Sequence, residues 1–208
     1  MRTRPTKSDS WEARQSVAQL AARFLADGDE VSLRAARCKA AEYLSVSNRA
    51  LPELREVQTA LREYLRLFYP EHGELLLALR ETALKAMDLF AEFRPRLAGP
   101  VVHGTATTTT PVTLHLFNDS AEEVGLFLID RDIPHELTER RLRYSNRRED
   151  CRPCYEFSAG GIDIELVVFG VRDIGHGPVS PIDGKPMRRL ATAALEALLG
   201  ESPQPSFE

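Results

Sequence analysis

Apolar residues recur every three or four positions through the first hundred residues of this 208-residue chain, and at alternate positions in several runs beyond it. A helix returns a side chain to one face every 3.6 residues and a strand every second residue, so the two halves call for different secondary structure. Pro95 and Pro100 bracket the change and mark a boundary. The expected fold class is α+β: a helical domain over residues 1–97, a strand-containing domain over 98–200, and a proline-rich, frayed tail over 201–208.

In the first half, Asp9 or Ser10 can cap a helix with Trp11, Val17, Leu20, Ala21 and Phe24 on one face, ended by Gly28. A second helix is expected from Ser32, with Leu33, Ala36, Ala40, Tyr43 and Leu44 as its stripe and Cys38 off it. Pro52 suits a first helical turn, and Leu54, Val57, Leu61, Tyr64, Leu65 and Phe68 follow at helical steps until Pro70. A fourth helix spans about residues 74–93, with Leu76, Leu79, Ala83, Met87 and Phe90 inward, and Pro95 ends it. Four such helices can bury their stripes as a bundle, which packs on the second half or docks a protein partner.

In the second half, residues 101–103 read as a short strand before a turn at Gly104-Thr105, and residues 112–117 alternate as a second strand. Alternation puts Thr113, His115 and Phe117 on one face and Val112, Leu114 and Leu116 on the other. Ser120 and Glu123 spell a capping box for a helix with Val124, Phe127 and Leu128 inward. Leu142 and Tyr144 alternate with arginines in an expected edge strand, and Ala159-Gly160-Gly161 links strands at 155–158 and 162–169. On the last, Asp163 and Glu165 share one face, opposite Ile162, Ile164, Leu166 and Val168. Pro186 is read as the start of a final helix carrying Leu190, Ala194, Leu195 and Leu198.

The composition excludes little but orders the alternatives. No apolar run reaches the roughly 18 residues of a membrane span, and the polar N-terminus lacks a signal-like core, so the expectation is a cytoplasmic protein without membrane contact. A net charge of -4 gives no global pull on nucleic acid, although Arg140, Arg141, Arg143, Arg147 and Arg148 form a local basic stretch able to meet RNA or to solvate an edge strand. Three cysteines form no disulfide framework; Cys151 and Cys154 spell C-x-x-C, readable as half a metal site, a redox dithiol or two thiols in a turn held by Pro153. P-loop, dinucleotide-binding and nucleophile-elbow glycine motifs are all missing, and no organic cofactor is implied.

The run from Gly104 to Phe117, G-T-A-T-T-T-T-P-V-T-L-H-L-F, resembles the opening motif of the polymerase-β-like nucleotidyltransferases, where a Gly-Ser turn precedes a D-x-D strand. In that family the glycine admits the triphosphate, the hydroxyl contacts a phosphate, two strand aspartates hold divalent metal and a later strand adds a third carboxylate. The resemblance implies a small nucleotidyltransferase-like mixed sheet with flanking helices. It puts Gly104 and Thr105 at the phosphates, with Thr107, Thr108, Thr109 and Thr110 lining the nucleotide edge, and Thr113 and His115 where the two aspartates belong. Glu165 and Asp163 are the candidate catalytic and metal-holding carboxylates, for a weakly held Mg²⁺ or Mn²⁺; His115 is a candidate acid, base or phosphate contact. The ending from Ser180 to Arg189 is similar to that of small bacterial members, and it offers Lys185 and Arg188 to a nucleoside triphosphate. With D-x-D absent, the expected function is nucleotide or partner binding on a degenerate site. The alternative is an active enzyme moving a nucleoside monophosphate from a triphosphate to an acceptor.

Overall fold

A computed structural model describes residues 7–30, 32–146 and 148–200; Arg147 and the tail from Glu201 lie outside the described residues, as do the side chains of residues 7–10 and 49. The described chain is α+β and forms two compact units that meet in sequence between Gly73 and Glu74. This division by packing falls well before the boundary that Pro95 and Pro100 announce. No helix among the described residues is long and apolar enough to cross a membrane.

The first unit holds α1 (Lys7–Ala26), α2 (Leu33–Tyr43) and α3 (Leu54–Phe68). Helix α1 starts ahead of the expected Asp9 or Ser10 cap and gives way to Gly28 at φ +79°. Ser32 caps α2 by accepting the Ala35 N–H at 3.1 Å. Pro52 lies ahead of the first helical turn instead of in it: Glu53 is the cap of α3, and the Glu56 carboxylate accepts its backbone N–H. Val17, Ala21, Ala36, Ala40, Val57, Leu61 and Leu65 make the core, where alanines let the helices approach closely. Trp11, Tyr43, Leu44 and Phe68, read as stripe residues, are exposed. Tyr43 and Phe68 are the last residues of their helices and Leu44 caps α2, so these three lie at helix ends.

All but the first two residues of α4 (His72–Leu89) belong to the second unit, and its Leu79, Ala83 and Met87 bury with a β-sheet rather than with α1–α3. That is why the helical half is a three-helix unit and not a four-helix bundle. The expected continuation of α4 to residue 93 is broken at Leu89. A single 3-10 turn follows, and Arg94 adopts a left-handed conformation.

The sheet has five strands in the order β1-β2-β5-β4-β3: β1 (Arg96–Ala98), β2 (Val112–Phe117), β3 (Glu136–Arg143), β4 (Glu149–Ala159) and β5 (Ile162–Phe169). Only β2 and β5 pair in parallel; β1–β2, β4–β5 and β3–β4 are antiparallel, so the sheet is mixed and β3 is an edge. Residues 101–103 are not the first strand: Gly99 turns the chain at φ +79°, ψ -159°, and Pro100 opens the short helix α5 (Pro100–His103). The strand precedes that turn. Helix α6 (Ala121–Ile129) buries Val124, Phe127 and Leu128 as expected. The capping box ahead of it does not form, because Ser120 donates to Glu122 at 2.9 Å while Glu123 accepts from Asn118 at 2.7 Å.

Gly160 and Gly161, at φ +61° and +80°, supply the two positive φ angles of a tight hairpin between β4 and β5. The final helix α7 starts at Thr192 instead of Pro186, because Leu190 is held in a bridge to Leu97 and Pro186 in one to Val179. One face of the sheet carries Leu97, Leu114, Leu116, Ile164, Leu166 and Val168, packed with Met87 and Phe90, Leu128 of α6 and Leu195 of α7. The other face carries the polar side chains beside a smaller buried cluster of Phe117, Cys154, Val167 and Phe169.

Candidate functional site

The strand register lays the polar face out in rows. One row runs Ala98, Thr113, Glu165, Glu156, Glu136 from β1 to β3; the next runs Arg96, His115, Val167, Cys154, Thr138. Asp163 sits opposite Ser158 beyond the first row, and Arg140 lies two residues along β3 from Thr138. Thr113, His115, Asp163 and Glu165, four of the residues expected at the site, thus share one face, as alternation requires.

Each candidate carboxylate on this face has a partner. Glu165 accepts the Thr113 hydroxyl at 3.2 Å on one oxygen and the Arg140 guanidinium on the other. The Glu165 side chain, on the central strand, is 16% exposed and that of Arg140 44%, so the cation is the more exposed partner. Burial works against the Arg140 charge, but Glu165, with Cys154 and Glu156 adding to it, more than offsets it and the arginine's pKa is raised. Thr138 donates to Glu156 at 2.7 Å, and Ser158 donates to Asp163.

His115 stands apart from this network. It is 2% exposed, its ring lies 4.6 Å from that of Phe169, and its Nδ1 is buried without a hydrogen-bond partner among the described residues. Burial, with the nearby Arg189 adding to it, pushes its pKa down to about 3, so the imidazole is neutral near pH 7. A buried neutral ring is poorly placed to shuttle protons with solvent. Arg189 donates to the carbonyls of Asp173 and Ile174, at 3.5 and 2.8 Å, and lies 5.2 Å from the Phe117 ring. It pins the segment after β5.

The other expected contacts lie elsewhere. Gly104 ends α5, where a side chain would meet Leu76 of α4 at 3.6 Å, and Thr105 is buried with its N–H bonded to Pro100. The glycine that faces Thr113 is Gly99, where a β-carbon would come 3.7 Å from Oγ1. Thr107 and Thr110 bond to each other. Lys185 and Arg188 are exposed. Lys185 occupies a turn joined through Val179 to Arg143, seven residues along β3 from Glu136 in the Glu165 row, or roughly 23 Å at the usual strand rise.

Cys151 and Cys154 fall inside β4 rather than in a turn. Three residues apart on a strand, they point to opposite faces and cannot act as one ligand pair or dithiol. Cys154 is buried, and its pKa is pushed up to about 11, chiefly by desolvation and then by Glu165. The basic stretch is likewise divided: Arg143 pairs with Glu149, Arg148 with Asp150, and Arg140 faces Glu165.

Mg²⁺ and Mn²⁺ favour oxygen ligands held in near-octahedral geometry. Thr113 and His115, expected at the two aspartate positions, supply one hydroxyl and one buried imidazole, and the carboxylate opposite Thr113 already carries a guanidinium. This donor set does not fit the metal that the resemblance implies. Gly99, Arg140 and Arg189 were outside the expected site. A glycine directly before a proline was the one local signal for Gly99, and strand parity from Thr138 to Arg140 the one for Arg140. No family model matches the chain, and no curated protein or solved structure matches it significantly.

Proposed function

We propose that the polar face of the sheet is a binding site for a nucleoside triphosphate, held through its phosphates without metal-dependent transfer chemistry. The observation that carries this reading is the Arg140 guanidinium seated on Glu165, a fixed positive charge where the nucleotidyltransferase-like arrangement calls for a metal ion. A guanidinium has five N–H donors in a planar fork suited to phosphate, and the Arg140 side chain is the more exposed member of the pair. The Gly99 turn supports the same reading. Without a side chain there, a phosphate can approach the backbone beside the Thr113 hydroxyl, and a φ of +79° is one that glycine adopts at no steric cost.

Transfer of a nucleoside monophosphate to an acceptor is the second reading. It is favoured by one observation, the register that sets Glu165 directly opposite Thr113 on the neighbouring parallel strand. The two readings part at Arg140. Calorimetric titration with ATP, GTP, CTP and UTP should show binding to the wild type that Arg140→Ala weakens by roughly 10- to 100-fold, the usual worth of a charge-assisted hydrogen bond. Absence of binding to all four nucleotides, or full affinity in Arg140→Ala, would sink the proposal.

A further inference from the structure

Glu165 and Glu156 face each other directly across the β4–β5 pair. Like charges in that position destabilise a sheet, and a cation beside them relieves the repulsion. The cation is Arg140, which reaches from the neighbouring edge strand to Glu165 and also attracts Glu156. Oxygen donors stand around it, namely the Glu165 carboxylate, the Thr113 hydroxyl on Glu165 and the Thr138 hydroxyl on Glu156, with the Cys154 thiol beside them. Hard divalent cations favour this chemistry.

We infer that Arg140 is a resident cation that takes the place of a divalent ion at the Glu165–Glu156 pair and excludes that ion from the sheet. One positive charge on a tethered side chain offsets one of the two carboxylates at every metal concentration, so the face stays closed to metal without losing its carboxylates. The edge strand therefore sets the ion selectivity of a neighbouring pair of strands. This inference shares Arg140 with the nucleotide reading but not its ligand, so titrations with nucleotide and with metal fail separately.

The test is a Mn²⁺ titration followed by the electron paramagnetic resonance of the free ion, on the wild type, Arg140→Ala, Arg140→Lys and the double variant Arg140→Ala/Glu165→Gln. Circular dichroism checks that each is folded. Arg140→Ala should bind Mn²⁺ at least about tenfold more tightly than the wild type, as expected when a hard cation gains a two-carboxylate oxygen site. Arg140→Lys should still exclude it, and the double variant should return to wild-type behaviour. Should Arg140→Ala not fold, Arg140→Gln, which keeps a hydrogen-bond donor without the charge, should show the same gain. Equal Mn²⁺ affinity in the wild type and the neutral variants would overturn the inference, as would a gain that survives in the double variant.

Discussion

At the scale of single residues, His115 couples stability to pH. An unfolded histidine titrates near pH 6.5, whereas burial, aided by Arg189, holds this one down to about 3. Between those values the unfolded chain binds a proton that the native chain does not. Its contribution is therefore fully present above pH 6.5 and is lost as pH falls, at up to about 1.4 kcal/mol per unit. Lowering the pH from 7 to 5 should destabilise the sheet unit by about 2 kcal/mol through this group. Urea unfolding at the two pH values measures it, and His115→Leu should flatten that part of the dependence. The residues on the polar face of β2 and β5 were legible because alternation alone fixes their side of the strand. Arg140 was not, since its role depends on the register of β3 against β4, which no local pattern specifies. Gly99 was not legible either, since its approach to Thr113 depends on the pairing of β1 with β2.

At the scale of elements, α6 carries a glycine in its interior, which ordinarily costs a helix about 1 kcal/mol relative to alanine. Gly125 is there because Tyr155 packs against it. A β-carbon would lie 2.9 Å from the tyrosine hydroxyl and 3.3 Å from two ring carbons, while that hydroxyl donates to the Ala121 carbonyl at 2.8 Å. Gly125→Ala should therefore destabilise the protein by about 1–3 kcal/mol through overpacking, against the helix-propensity trend; equilibrium denaturation gives the sign. Helices α1, α2 and α3 were legible because their periodicity runs over many residues. The three-residue strand β1 was not, being too short to show alternation. Its place is fixed by non-local bonds, Leu97 to Leu190 on one side and pairing with β2 on the other.

At the scale of the whole molecule, each unit has its own core, and α4 belongs to that of the sheet. Sequence periodicity identifies α4 as a helix but not the surface it covers, so the boundary read from the prolines falls inside the second unit. Leu61→Ala should cost the three-helix unit about 2–5 kcal/mol, as buried leucine truncations do. Hydrogen exchange should then accelerate across α1, α2 and α3 while β2 and β5 keep their protection; equal acceleration in both units would mean that they unfold as one.

The central claim is that the sheet face holds nucleotide through Arg140 and without metal. Titration of ATP by calorimetry, in EDTA and in excess Mg²⁺, on the wild type and Glu165→Gln tests it most directly. The account expects binding that needs no Mg²⁺ and that persists in Glu165→Gln, where Arg140 is released from its carboxylate. Binding that appears only with Mg²⁺ and disappears in Glu165→Gln would contradict it and would identify Glu165 as a metal ligand in a working transferase site.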